Sequence, residues 1–141
     1  MLFLLLAALA QATQTPQISL TPPMRTIERS AMSFVDTPRQ VTLRTAAEWT
    51  AAWRAHAGDR QAPVVDFSKE MVVGVFLGTR RTSGYSVEIV RTREENGALI
   101  VQYVETQPSP RAVTAQVITM PLHLVAIPTR AGEVRFEKVD K

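Results

Sequence analysis

Acid–base or nucleophilic catalysis requires a positioned base, and the only histidines in this chain are His56 and His123. His56 falls on one helical face with Trp49 and Trp53, so it reads as a hydrogen-bonded core or boundary histidine. His123 sits in an apolar stretch after Met120 and Pro121, where a packed ring with satisfied nitrogens is the better reading. Neither histidine has the spacing of a zinc ligand set, and the absence of cysteine excludes thiolate metal sites, disulfides and a Cys nucleophile. Asp66, ahead of Phe67 and Ser68, suits an Asx-type turn that accepts backbone amides; a catalytic carboxylate is the weaker alternative. The expectation is a protein that is not an enzyme, with no catalytic residue, no metal and no cofactor.

The other stretch with chemistry in it is the loop Gly78, Thr79, Arg80, Arg81, Thr82, Ser83, Gly84, Tyr85. Its two glycines permit positive φ, its hydroxyls offer local bonds to backbone, and its arginines project charge. It lacks the Gly-Lys-Ser/Thr of a phosphate loop and leads into a strand instead of a helix, so an anion cradle is not indicated. Two readings stand: a tight connection whose glycines serve geometry alone, or a recognition loop. In the second, Arg80, Arg81 and Tyr85 form the contact set, because Arg and Tyr are favoured interface anchors.

This loop needs a rigid base, and the run before it supplies one. Met71, Val72, Val73, Val75, Phe76 and Leu77 are too few for a helix and rich in β-branched types, so they predict a strand buried on both faces. Burying those six side chains contributes on the order of 10 kcal/mol, against a net domain stability of about 5 to 15 kcal/mol. No other segment reads as apolar on both faces, so the rest of the chain is expected to cover this one.

The covering elements follow from pattern. Thr45 and Glu48 form a capping box, alanines fill the following residues, and Gly58 occupies a C-cap position, which predicts a helix over 45–57. Its Trp49, Ala52, Trp53, His56 face should lie on the core strand, with Trp49 or Trp53 in the gap that Gly74 leaves. Alternation predicts edge strands over 24–30 and 39–43, then strands over 85–92 and 99–103. In the first of that pair, Tyr85, Val87 and Ile89 share one face, and Ser86, Glu88 and Thr92 the other. A two-residue Asn96-Gly97 turn would misalign the apolar faces of this hairpin. A three-residue Glu95-Asn96-Gly97 loop with a bulge at Gly97 would place Ile89 opposite Tyr103 and is preferred. Strands over 113–119, 122–127 and 134–139 complete seven or eight. The fold class is mainly β, an antiparallel sandwich or barrel with one covering helix, with α+β as the alternative.

Residues 1–12, MLFLLLAALAQA, end in small-x-small sites and are too short to span a bilayer, so they read as a signal peptide cleaved near Ala12. Residues 13–23 read as a flexible tail and 24–141 as one domain. The location expected is extracytoplasmic, periplasmic or secreted, with no stable membrane anchor after cleavage. The net charge of +3 is basic, yet 16 cations and 13 anions are interleaved without a phosphate-binding stripe, so no nucleic-acid partner is expected.

Trp49, Trp53, Asp66, Phe67, Gly78, Thr82, Gly84, Tyr85, Pro121, His123 and Val125 together resemble the C-terminal domain of PrcB-like proteins, the protease stability complex family. The resemblance covers about residues 49–136. It implies a noncatalytic exported module that binds another protein, a protease or its complex. The Thr82-Ser83-Gly84-Tyr85 segment is also similar to a loop of chagasin-like cysteine protease inhibitors, although Arg80 and Arg81 replace the Asn-Pro that precedes it there. Inhibition through that loop is the alternative function.

Overall fold

The apolar heptad does become the central strand. In the computed structural model, which describes residues 23–141, the elements are β1 (Arg25–Ser30), β2 (Arg39–Leu43), α1 (Ala46–Ala57), β3 (Glu70–Phe76), β4 (Ser86–Glu95), β5 (Ala98–Thr106), β6 (Leu122–Pro128) and β7 (Val134–Lys138). The predicted signal peptide over 1–12 and the tail over 13–23, apart from Pro23, lie outside the described residues.

A four-stranded sheet of order β1-β6-β3-β2 packs against a three-stranded sheet of order β4-β5-β7, and α1 lies on the outer face of the first. The molecule is mainly β and sandwich-like, and neither sheet closes into a barrel. Val72 and Phe76 of β3 face the helix with Leu122, Leu124, Val41 and Leu43; Met71, Val73 and Val75 face the second sheet. Period-two alternation on a strand enclosed by two layers therefore builds both cores at once. β3 is not the only such strand, contrary to expectation. Leu122 through Ile127 of β6 are buried on both faces as well, because β6 lies between β1 and β3 beneath the helix and above the second sheet.

Helix α1 is capped as its sequence predicts. The Thr45 hydroxyl accepts the Glu48 amide at 3.2 Å, and the Gly58 amide donates to the Arg54 carbonyl. The tryptophans do not fill the gap at Gly74, however. A Cβ built there would lie 2.5 Å from Leu124 Cδ2 and 3.0 Å from Val41 Cγ2, so the two residues paired with Gly74 across β6 and β2 close it. Trp49 and Trp53 instead donate their indole N–H groups to the carbonyls of Pro63 and Arg60, which ties the loop after the helix to the core.

The hairpin reconciles the two registers in a way neither expectation contained. Its turn is the two-residue Asn96-Gly97, with φ of 50° and 81°, a type I′ geometry that pairs Glu95 with Ala98. The bulge lies further along, between Ile89 and Arg91, and it restores Ile89 opposite Tyr103. Beyond that bulge the alternation flips, so Thr92 is turned inward and buried instead of sharing the outer face with Glu88.

Two further expectations fail. Residues 113–119 form no strand, only an isolated bridge from Thr119 to Arg80. And β7 runs parallel to β5, so the second sheet is not wholly antiparallel. The chain leaves β5, crosses to the first sheet for β6, and returns to the second as β7, beside β5 and in the same direction.

Candidate functional site

Gly78 turns the chain out of β3 with φ of 74°, and a Cβ there would lie 2.7 Å from the Pro38 nitrogen. Only glycine permits that turn and that approach together. Thr79 then donates its amide and its hydroxyl to the Asp36 carbonyl, each at 3.1 Å.

The rest of the loop is clasped by residues 107–121, the connector between β5 and β6. Arg80 and Thr119 exchange backbone bonds of 2.8 and 3.0 Å. Ser83 donates its amide to the Ala115 carbonyl and accepts the Ala115 amide on its hydroxyl, while the Thr119 hydroxyl donates to the Thr82 carbonyl. Gly84, at φ of 96°, is pressed against Pro108, 2.8 Å from a would-be Cβ. The connector thus satisfies the loop's backbone much as a neighbouring strand would. The predicted site residues form one tip, held to two other segments.

The arginines of the tip have opposite fates. Arg80 reaches inward: its guanidinium donates to Glu105 Oε1 at 2.8 Å and to the Leu77 and Thr79 carbonyls, and it lies 5.9 Å from the Tyr85 ring centroid. Glu105 also takes Lys138 at 3.1 Å. Burial pushes the Glu105 carboxyl up, but the bonds from Arg80 and Lys138 outweigh it and hold the group below the ordinary carboxylate range. Arg80 is therefore a strut from the tip to the second sheet, not a free contact. Arg81 is exposed, and Tyr85 is half-buried beside Arg80.

The two histidines are buried. His123 Nδ1 accepts the Ile89 amide at 2.8 Å, and its Nε2 is 2.9 Å from the Thr26 hydroxyl. An amide must donate to Nδ1, so Nε2 carries the proton. Ile89 lies on the free edge of β4, beside the bulge. Arg29 serves the same edge, donating to the Val87 carbonyl and pairing with Glu88, both at 2.9 Å. Burial, then the nearby Arg29 charge, lowers the His123 pKa to about 4 against an opposing pull from Glu88. The ring is neutral at physiological pH.

His56 has a side chain with no exposure. Its Nδ1 lies 2.8 Å from the Ser33 hydroxyl and its Nε2 contacts Glu28, which Arg60 also grips at 2.9 and 3.0 Å. Arg60 lies over the Trp53 ring, 5.1 Å from its centroid. Ser33, His56 and Glu28 have the connectivity of a nucleophile relay. Ser33 is 6% exposed, and its hydroxyl also accepts the Val35 amide. The cluster floors a cleft of about 550 Å³ rimmed by Met32, Phe34 and Met120. Sequence reasoning anticipated the histidine and missed Glu28, Ser33 and Arg60, whose positions carry no spacing signal. Asp66 behaves as expected: its carboxylate accepts the Ser68 amide and hydroxyl, bonds that lower its pKa.

The family model described as PrcB C-terminal matches residues 71–128. That segment spans β3, the tip, the hairpin, the connector and β6, which are the parts that build the clasp; it leaves out Trp49, Trp53, Asp66 and Phe67. Comparisons with curated proteins and with solved structures find no match.

Proposed function

From the match of residues 71–128 to the PrcB C-terminal family model, we propose that this chain is a noncatalytic, exported protein-binding module that associates with, or stabilises, an extracytoplasmic protease complex. The observation that carries the reading is the clasped tip. A loop bearing an exposed Arg81 is held by backbone bonds to the connector, so little conformational entropy remains to be lost when a partner docks. The noncatalytic part is supported by His123, whose two ring nitrogens are taken up by the Ile89 amide and the Thr26 hydroxyl. The extracytoplasmic part is supported by the apolar run over 1–12 with its small-x-small ending.

Inhibition through the Thr82–Tyr85 segment is the competing function. It requires a wedge that projects into a cleft, whereas Gly84 lies against Pro108 and Tyr85 is half-buried, a geometry that favours a flat docking face. Affinity capture from envelope extract tests the proposal: the wild type should recover a protease or a component of its complex, and Arg81→Ala with Tyr85→Ala should not. Equal recovery by both proteins would remove the tip from the function. Purified protein should leave cysteine, serine and metalloprotease activity intact or raised; a fall would favour the inhibitor.

A further inference from the structure

The connector that clasps the tip has its polarity reversed. Its Thr119 is buried against the loop, while Val113, Val117 and Ile118 stand 103%, 52% and 58% exposed. Val113 and Val117 flank Ala115, and Ile118 adjoins Thr119, so the aliphatic side chains sit directly beside the backbone groups that the loop holds. Aliphatic groups kept in water on a segment that is firmly anchored mark a contact surface more than a packing failure.

Charge narrows what would cover it. Residues 106–132 contain no Asp or Glu, and neither do residues 71–87. The cations exposed on these two segments include Arg81 and Arg111. The face is therefore aliphatic and basic in a chain that elsewhere mixes its charges. We propose that Val113, Val117 and Ile118, with Arg81 and Arg111, form a docking face for a protein partner that presents an acidic strip interleaved with aliphatic side chains. This rests on the binding role proposed above and names the surface and the chemistry that role would use.

Two other occupants fit less well. A second copy of the chain would bring the same cations against each other, which a like-to-like interface disfavours. A membrane surface would select Trp, Phe and Lys at the water boundary, and the connector carries none of these.

The test is methyl and amide NMR of the purified protein, titrated with a short synthetic peptide of alternating Glu and Leu. Shifts should concentrate at the methyls of Val113, Val117 and Ile118. Affinity should exceed that for the matching Lys and Leu peptide by roughly tenfold or more, the scale of one favourable charge contact. Val117→Ser with Ile118→Ser should abolish those shifts while the remaining spectrum stays in place, and Arg81→Glu should shrink the preference for the acidic peptide. Equal binding of both peptides, shifts centred elsewhere, docking on phosphatidylglycerol vesicles without peptide binding, or dimerisation through these methyls would each overturn the proposal. The readout is independent of affinity capture, so a failed capture beside successful peptide docking faults the protease-complex reading and leaves this face standing.

Discussion

Residues 113–120 and 122–127 are neighbours in the chain and both rich in aliphatic side chains, yet they meet opposite solvents. Leu122, Leu124, Val125 and Ile127 are at most 2% exposed, whereas Val113, Val117 and Ile118 stand in water. The difference is one of partners for the backbone. β6 has β1 on one side and β3 on the other, with a layer above and a layer below. The connector pairs mainly with the tip loop, through a few bonds to Ser83, Thr82 and Arg80 in place of a ladder, and adds single bonds from Met120 to Ala31 and from Leu77 to Pro121. A strand needs a neighbour with free groups as well as the right residues. The comparison also underlies the proposed docking face: where the same residue types are buried they hold the fold, and where they are anchored but exposed they are accessible from solvent.

Substitutions sharpen that contrast, beginning in the core. Gly74→Leu inserts a side chain where even a Cβ meets Leu124 at 2.5 Å, so it should cost more than about 3 kcal/mol or prevent folding. An unchanged midpoint in thermal denaturation would mean that the two-faced core is misdescribed.

The seam between the sheets should respond to pH. His123 has a folded pKa of about 4 against an ordinary 6.5, so the unfolded chain binds the proton first. Stability is then complete above pH 6.5 and is lost as pH falls toward 4, by on the order of 3 kcal/mol. Urea midpoints across that window should fall in the wild type and flatten in His123→Gln. The loss of the Glu105 contribution comes at still lower pH: held below its ordinary range, its share is present above the usual carboxylate pKa and disappears as pH drops through the lowered one.

Arg80→Ala leaves the nearly buried Glu105 with Lys138 alone. A loss of about 1 to 2 kcal/mol is expected, with faster amide exchange throughout the tip. At the other extreme, Val117→Ser with Ile118→Ser should change stability by less than about 0.5 kcal/mol, since surface substitutions away from special features rarely do more. A large loss there would show that these side chains serve the fold after all.

The sequence made the central strand and the helix with its caps plain, because each is governed by local pattern: the 71–77 apolar run, and Thr45 with Glu48. The hairpin was legible as a pair of strands but not in its turn, since the register argument favoured a three-residue Glu95-Asn96-Gly97 loop where the chain turns on Asn96-Gly97 alone. The tip's extent was equally plain from Gly78 and Gly84. Its fastening was not. That Arg80 points inward depends on Glu105, a residue 25 positions away whose side chain is buried by sheet packing. The bulge between Ile89 and Arg91 has no Gly to announce it; the demand that Ile89 face the core produces it. The strand expected over 113–119 was inferred from composition, which cannot register that the segment lies beside the tip loop, bonded to Arg80 and Ser83, and not along a sheet edge.

The central claim is that the tip and connector form one ordered face before any partner arrives. Hydrogen exchange of four backbone amides tests it most directly: Arg80, Ser83, Ala115 and Thr119 each donate across the clasp. In the free protein all four should be protected well beyond the rate of an unstructured chain and should open together, since the two segments are joined to each other. Exchange of these four at the unstructured rate, with the β3 and β6 amides still protected, would show a loose loop on a sound scaffold and contradict the account.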